Sequence, residues 1–199
     1  MFRFKVELWG RYAYFARPEL EDENVSYDVI TPHAARLALE TAFWKPSIEY
    51  FIDEIAVCSP ILFEKTRSNK NYPDSEVTAL KGVRYVITAH FKITNHIEPW
   101  QTESEIVDKF HTRLKVRNYR CPYFGTKDFP ANIRLVDENE EPKAPIDETR
   151  SLGLMLYDTE HLPEIREDGL ELMKESEPMY FMAEMKNGVI DLRNVDVFK

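Results

Sequence analysis

The stretch TPHAARLALETAFWKP, residues 31–46, decides the fold, because it predicts a helix between two strand-like segments. Thr31 is a good helix cap, and Pro46 stops the helix. Ala35 and Leu39 are four residues apart, so they share a face that can pack on a sheet. The pattern therefore predicts a strand–helix–strand unit.

The end of this helix, AFWKP, places Phe43, Trp44 and Lys45 side by side. Local rules allow two interpretations. The aromatic residues pack the last helical turn into a core, or they form the edge of a functional site. Both interpretations stay open on local sequence alone.

Strand patterns lie on both sides of this helix. Residues 2–9, FRFKVELW, alternate apolar and polar side chains with the period of two that is typical of a half-buried strand. The later predicted elements are strands within 47–65 and 82–94, a helix from Ser104 to Val116, strands at 131–136 and 152–157, and a hairpin turning at Asn187–Gly188.

The order strand, helix, strand, strand, helix, strand predicts an α+β protein with a ferredoxin-like (βαββαβ) arrangement and a small C-terminal β-rich extension. We predict a first domain over residues 1–136. An acidic loop and the β extension follow over residues 137–199. This fold hosts many unrelated functions, so function has to come from a site.

The composition excludes several classes of protein. The net charge of −9 argues against a nucleic-acid partner, provided that the charge is evenly spread. Cys58 and Cys121 lack the number and spacing of a disulfide framework or a zinc site, and they fit a reducing compartment. No signal peptide or long apolar run is present, so we expect a soluble cytoplasmic protein without a membrane partner.

Motifs for nucleotide, dinucleotide and metal chemistry are absent from the sequence. It contains no GxxxxGK[ST], GxGxxG, HExxH, GxSxG or CxxC pattern. We therefore expect no cofactor and no metal site.

The charge is not evenly spread, because residues 109–127 contain no acid. Two tyrosines, Tyr119 and Tyr123, interleave this basic island, and Gly125 would let the backbone approach a ligand closely. Cations that follow phosphates, beside flat rings on which bases stack, suit single-stranded RNA. The alternative is a solvated helix face balanced by acids elsewhere. The six cations of the basic island are Lys109, Arg113, Lys115, Arg117, Arg120 and Lys127.

A second basic cluster consists of Lys65, Arg67 and Lys70. It follows a predicted strand, so we expect it on a loop. Such a loop either contacts a phosphate or is an ordinary soluble turn.

His111 differs from the other histidines because it lies in the basic island. Metal-free RNA cleavage needs a base, an acid and a cation near the phosphate. His111 is a candidate proton-transfer group for such a reaction, and the alternative is an exposed helical histidine without a role.

Several segments together resemble a known family: VSYDVITPHAAR (25–36), FWKP (43–46), GVRYVITAHF (82–91), YFGTKDFPA (123–131), LGLMLYD (152–158) and MKNGVIDL (185–192). In this order the chain resembles the CRISPR-associated family-five proteins of type I-C systems, as a divergent member. The resemblance implies a ferredoxin-like domain of the repeat-associated (RAMP, RRM-like) type. It also implies that the protein binds the repeat-derived 5′ handle of a CRISPR RNA in a Cascade surveillance complex, beside backbone subunits and a large subunit.

The family also implies metal-independent cleavage of precursor CRISPR RNA by a tyrosine before the WKP block and a Lys-His pair on the second helix. The tyrosine position holds Phe43 here, and the pair falls on Glu105 and Ile106. The leading interpretation is therefore a subunit that holds the RNA handle and has lost or weakened the cutting activity. A second interpretation keeps cleavage through relocated groups, with Lys109 and His111 as candidates. A third is a RAMP-like protein-interaction module without RNA.

The residues expected to contact RNA are cations and aromatic rings of these segments. They are Trp44, Lys45, Lys65, Arg67, Lys70, Arg113, Lys115, Arg117, Tyr119, Arg120, Tyr123 and Lys127.

Overall fold

The computed structural model describes residues 2–20, 23–68, 75–94, 102–117, 119–137, 139–160, 163–165, 171–173 and 177–199. The mixed α/β class is confirmed, and the sheets are mostly antiparallel. The strands are β1 (Phe2–Ala13), β2 (Ile48–Val57), β3 (Phe63–Ser68), β4 (Ser75–Ile93), β5 (Asn132–Leu135), β6 (Arg150–Glu160), β7 (Pro163–Ile165), β8 (Glu171–Met173), β9 (Glu177–Met185) and β10 (Val189–Asp191). The α-helices are α1 (Pro32–Ala42) and α2 (Glu103–Lys115).

The large sheet has the strand order β10-β2-β4-β1-β5, and β3 pairs with the other half of β4. Each of these strand pairs is antiparallel. The β1–α1–β2 connection passes over β4, and the β4–α2–β5 connection passes over β1. The chain therefore interleaves two strand–helix–strand units in one sheet.

Both helices pack on one face of this sheet and share a core. The ring of Phe110 in α2 lies 4.6 Å from Phe4 of β1 and 5.6 Å from Phe91 of β4, measured between centroids. It also lies 5.7 Å from Phe43, the residue that follows α1. These rings fix the position of the end of α1 relative to α2.

The expected caps are present. The hydroxyl of Thr31 accepts a hydrogen bond from the backbone N–H of Ala34 at 3.1 Å, which confirms Thr31 as the cap of α1. Thr102 and Glu105 form a reciprocal capping box at the start of α2, with hydrogen bonds of 3.2 and 3.3 Å. The capping box explains why α2 starts at Glu103, one residue earlier than expected.

The block SYDVITPHAAR has a structural role. Tyr27 is fully buried, and its hydroxyl donates to Glu19 at 2.8 Å. Burial, together with Glu19, raises the pKa of Tyr27 above its ordinary value. Asp28 pairs with Arg17 at 2.9 Å and with Arg150 at 3.2 Å, so this block connects the segment before α1 to β6.

Helix α1 is also connected to β6 by charged side chains. His33 Nδ1 donates to Asp158 at 2.8 Å, and Arg36 contacts the same carboxylate. Burial opposes ionisation of Asp158, but these two hydrogen bonds hold its pKa below the usual value. Asp158 is therefore a charged anchor for α1.

The turn at Asn187–Gly188 forms as expected, and the hairpin closes with one pair, Lys186 with Val189, through two backbone hydrogen bonds of 2.8 and 3.0 Å. Both residues have positive φ, 49° and 75°, as a tight turn of this kind requires. The flanking strands then separate: β9 pairs with β6, whereas β10 pairs with β2. The reason is that Ile190 of β10 is buried in the core opposite Ile55.

Residues 139–148 cross the sheet face that carries no helix, with contacts from Glu140, Lys143 and Ile146. Near β5, Glu140 pairs with Arg134 at 2.7 Å. At the opposite edge, Ile146 donates its backbone N–H to Val57 at 2.8 Å. This segment contacts the large sheet and β10 belongs to it, and the division between residues 136 and 137 stays a prediction.

Within the described residues, no helix combines the length and apolar character that crossing a membrane requires.

Candidate nucleic-acid interface

A groove of about 850 Å³ lies between the end of α1 and the segment that follows α2. Its lining includes Trp44, Arg113, Arg120, Tyr123 and Lys127, all of which the sequence predicted as RNA contacts. We call it the Trp44 groove. The structure thus brings together residues that are up to 83 positions apart (127 − 44) in the sequence.

Trp44 points into this groove because Phe43 is anchored in the core. Phe43 is 2% exposed, has extended backbone angles and accepts a hydrogen bond on its carbonyl from the Tyr50 hydroxyl at 2.7 Å. Side chains alternate in extended backbone, so Trp44 is directed outward and is 59% exposed. Phe43 therefore packs into the core, as the first interpretation expects, and Trp44 lines a groove, whose functional role stays a prediction.

The segment 122–131 is fixed to the sheet by two buried rings, Phe124 and Phe129. The backbone N–H of Phe124 donates to Phe129 at 2.8 Å, and its carbonyl accepts from Tyr14 at 3.1 Å. Tyr123 lies on the other side of the segment and is 37% exposed. The buried anchors thus hold Tyr123 at the groove.

Gly125 has a role different from the expected one. Its φ is +81°, and a Cβ at this position would lie 1.7 Å from the backbone oxygen of Tyr14. The close approach that glycine permits is therefore between two segments of the same chain.

The cations of the basic island are mostly unpaired. Lys115 contacts Asp137 at 3.8 Å. Among the described residues, no carboxylate lies within ion-pair distance of the charged groups of the other five cations. Arg113 instead lies over the ring of Phe43, 5.4 Å from its centroid. The island therefore keeps a local positive charge in a chain of net charge −9.

Tyr119 and Arg117 are among the island residues that lie outside the Trp44 groove. The hydroxyl of Tyr119 donates to the carbonyl of Ile133 at 2.8 Å, and its ring is half-buried against the core. This tyrosine therefore anchors the segment after α2 to β5. Arg117 follows α2 with a positive φ of 53° and is exposed.

The second basic cluster lies on strand β3, so the expected loop location of Lys65 and Arg67 is wrong. Lys65 pairs with Glu76 at 3.0 Å, and Arg67 is opposite Glu76 in the β3–β4 register. Both basic side chains are exposed, but neither lines the Trp44 groove. Lys70 lies outside the described residues.

A second groove, of about 550 Å³, lies on the other side of Arg113. We call it the Phe43 groove, and Lys45, Glu105 and Lys109 also line it. Lys109 and Glu105 share this face of α2, as expected from one helical turn. Asp108, which the sequence analysis did not single out, lines the groove as well; its spacing of three residues from Glu105 is the signal that predicts it.

The three positions that the resemblance assigns to cleavage hold residues with structural contacts here. Glu105 belongs to the capping box of α2. Ile106 is 1% exposed and lies in the core, so it faces away from the groove. Phe43 lines the groove with a ring that has no hydroxyl.

His111 lies in a third groove, of about 780 Å³, whose lining includes Phe2 and Lys115. Its ring is 5.3 Å from that of Phe2. Lys109 and His111 are two residues apart on α2, so their side chains point to nearly opposite sides of the helix. The structure does not bring these two candidates together. Within the described residues, no cluster of His, Cys, Asp or Glu is suited to hold a metal ion.

The comparison with known proteins agrees with the element order and the motifs. The family model of the CRISPR-associated protein Cas5, in its Cas5d form, matches residues 4–193. This chain belongs to the Cas5d family. Two relatives are both named CRISPR pre-crRNA endoribonuclease Cas5d. The one from Mannheimia succiniciproducens is 36% identical over 96% of this chain and 94% of its own length. The one from Thermus thermophilus is 31% identical over 96% of this chain and 92% of its length.

Solved structures agree with the fold of this Cas5d-family chain. A crystal structure of a CRISPR-associated protein has a TM-score of 0.74 at 19% identity, covering 99% of this chain and 96% of that one. A functionally uncharacterized protein from Streptococcus mutans also has a TM-score of 0.74, at 18% identity, with 96% and 92% of the two chains covered. At these identities, the likeness concerns the fold alone.

Proposed function

We propose that this protein binds the repeat-derived 5′ handle of a CRISPR RNA across the Trp44 and Phe43 grooves. The observation that supports the proposal most is that unpaired cations and exposed rings line one groove of an otherwise acidic chain. Cations bind the phosphates of RNA, and exposed rings stack with its unpaired bases. The names of the two relatives refer to precursor CRISPR RNA, which agrees with this ligand.

We further propose that the fold is ferredoxin-like and of the RAMP type, with an RNA-binding domain over residues 1–136 and a β extension over 137–199. The antiparallel order β2-β4-β1-β5, with both helices on one face, supports this assignment. As in the sequence analysis, we place the protein in the cytoplasm.

The proposed partners are the backbone and large subunits of a type I-C-like Cascade complex. Two large apolar side chains of the C-terminal region, Met182 and Phe198, are 58% and 45% exposed. They lie outside the three grooves and are available for protein contacts. RNA and protein contacts would then occupy separate surfaces.

We propose that cleavage is lost or weakened. In the Phe43 groove, Phe43 has no acidic hydroxyl, and Glu105 brings a negative charge to a site that has to hold a phosphate. The alternative, an active metal-independent endoribonuclease, is supported by the names of the relatives and by the position of Lys109 in this groove. It requires a proton-transfer group other than His111, unless RNA reaches both sides of α2.

The test incubates the purified protein with repeat RNA from its own CRISPR array in EDTA. Binding is measured by fluorescence anisotropy, and the products are separated on a gel. We expect tight binding without a cut, and a strong loss of affinity when Arg113, Arg120 and Lys127 are all changed to Gln. The control changes three exposed lysines elsewhere, Lys92, Lys143 and Lys186, to Gln.

An equal loss of RNA affinity in the groove variant and in the control variant would contradict the proposed site. Absence of RNA binding at low salt would overturn the proposed function and favour the protein-interaction module. A discrete cut in EDTA would establish the endoribonuclease alternative.

A further inference from the structure

We infer that the Trp44 groove receives an unstacked base of the bound RNA, which stacks on Trp44 and Tyr123 while neighbouring phosphates contact Arg113, Arg120 and Lys127. This inference rests on the proposed RNA binding and specifies what one groove does. Its basis is the size of the groove, the exposure of the two rings and the charge of the lining.

The groove has the size of a small-molecule site. Its volume of about 850 Å³ lies in the range of roughly 300–1,000 Å³ that is typical of ligand pockets. Pro122 and Pro130 contribute uncharged walls between the cations. An aromatic base therefore finds apolar surface, and its phosphates find charge at the rim.

The backbone that carries the two rings is held in place before any ligand binds. Trp44 follows the buried ring of Phe43, and Tyr123 precedes the buried ring of Phe124. Tyr123 is also paired with Pro130 through an antiparallel bridge. Little backbone entropy is lost when a base stacks on side chains whose backbone is already positioned. Exposed aromatic side chains of this kind stack with any base, because every base has a flat face.

The electrostatics of the groove favour a polyanion. Among the described residues of its lining, Glu40 carries the negative charge, and it is already paired with Arg36 at 2.7 Å. The lining has no Asn or Gln in the part of the chain that the structure describes. Asn and Gln are common readers of base edges, and the arginines of this lining are assigned to phosphates, so we expect the groove to accept bases with little sequence preference.

The experiment compares two fluorescein-labelled RNA decamers with the same number of phosphates. One is oligouridine, and the other is a fully abasic ribose-phosphate strand. Affinities at about 50 mM salt are measured by anisotropy for the wild type, Trp44→Ala, Trp44→Phe and Tyr123→Ala. The matched control is Met182→Ala, which removes an equally exposed apolar side chain far along the chain.

We expect Trp44→Ala to weaken oligouridine binding by about 5- to 150-fold, the usual range for loss of one stacked base. Its affinity for the abasic strand should change by less than about twofold, since the phosphate contacts remain. Trp44→Phe should retain most of the affinity, Tyr123→Ala should behave like Trp44→Ala, and Met182→Ala should bind both strands like the wild type.

Two results would overturn the inference alone. In one, Trp44→Ala binds oligouridine like the wild type. In the other, it loses equal affinity for both strands, which would mean that Trp44 acts on structure or on phosphate contacts. If the wild type binds neither strand, the proposed function fails and the inference fails with it.

Discussion

The guanidinium of Arg113 lies over the ring of Phe43, 5.4 Å from its centroid. A cation of α2 therefore contacts the residue that follows α1. This contact lies between the Trp44 groove and the Phe43 groove. Arg113 lines both grooves, so a strand that passes from one groove to the other has to cross it.

The position of Phe43 predicts the result of restoring a tyrosine. In Phe43→Tyr, we expect no cleavage of repeat RNA in EDTA, because Glu105 and Ile106 still provide neither a cation nor a proton-transfer group. A gel of the products over time checks this. The prediction fails if the variant gives a discrete product that the wild type does not.

The unpaired cations predict the salt dependence of RNA binding. Arg120→Gln and Lys127→Gln should each lower the slope of log affinity against log salt by about 0.7, the value for one lost contact to a single strand. Lys65→Gln is the control, because Lys65 is already paired with Glu76. Anisotropy titrations between about 50 and 200 mM salt measure the slopes. A lower slope in the control alone would place the RNA at β3.

The glycine in the segment 122–131 predicts a loss of both stability and binding. Gly125→Ala would bring a Cβ to 1.7 Å from the oxygen of Tyr14, so the segment has to move. We expect destabilisation by more than about 2 kcal/mol, from the strain of the left-handed backbone plus the clash, and weaker RNA binding because Tyr123 shifts.

Gly82→Ala is the matched control for this substitution. Gly82 also has a positive φ, +64°, but a Cβ there has no atom within 4 Å. Gly82→Ala should lower the free energy of unfolding only by the backbone strain, about 1–2 kcal/mol. Urea unfolding measures both variants, and equal costs would contradict the role of the contact with Tyr14.

The capping box predicts that a lysine at position 105, as the resemblance implies for this family, lowers the stability of the protein. Glu105→Lys removes the side chain that accepts from Thr102 and puts a positive charge at the positive end of a helix. We expect a loss of about 0.5–1.5 kcal/mol in urea unfolding. Asp108→Lys makes the same charge change in the same groove without touching the cap, so it should cost less. Equal losses would mean that charge, and not capping, is responsible.

The buried carboxylate of Glu7 predicts a pH dependence of stability. Glu7 is 2% exposed and contacts Arg84 and Arg134. Burial opposes its ionisation, but the two arginines hold its pKa below the usual value. Glu7→Gln leaves Arg84 without its charged partner and Arg134 with Glu140 alone, and we expect a loss of about 1–3 kcal/mol in the free energy of unfolding at pH 7.

The sign of the pH effect follows from the lowered pKa. Such a group stabilises the fold above its unfolded pKa, about 4.3, and the contribution is lost as the pH falls through the lower folded pKa. The difference in the free energy of unfolding between the wild type and Glu7→Gln should therefore become smaller below about pH 4. Glu184→Gln, at an exposed position, is the control. A gap that stays constant from pH 7 to acid would contradict the assignment.

Local patterns predicted the parts of the structure that local physics determines. Thr31 caps α1 because its hydroxyl reaches an N–H three residues ahead, and the alternation in FRFKVELW marks β1. The capping box of α2, Thr102-Glu103-Ser104-Glu105, is also a local pattern, and it places the helix start one residue before the predicted Ser104.

Other parts depend on contacts between distant residues and were not predictable from local patterns. The pairing of β10 with β2 depends on where Ile190 is buried, and the exposure of Trp44 depends on the anchoring of Phe43. The basic island was visible as a run of cations. Which cations of the island and of the second basic cluster have acidic partners is known only from the fold, because Asp137 approaches Lys115 and Glu76 approaches Lys65 from other elements.

Helix α2 changes sign along its length. Its first two turns present Glu103, Glu105 and Asp108, and its last turn presents Arg113 and Lys115. At its start, the capping box uses the N–H groups of Thr102 and Glu105, and the acidic side chains there disfavour a bound anion. A polyanion is attracted to the C-terminal end of α2 and repelled from its N-terminal end. The charges of this helix therefore limit how far the proposed RNA strand can follow the surface towards that N-terminal end.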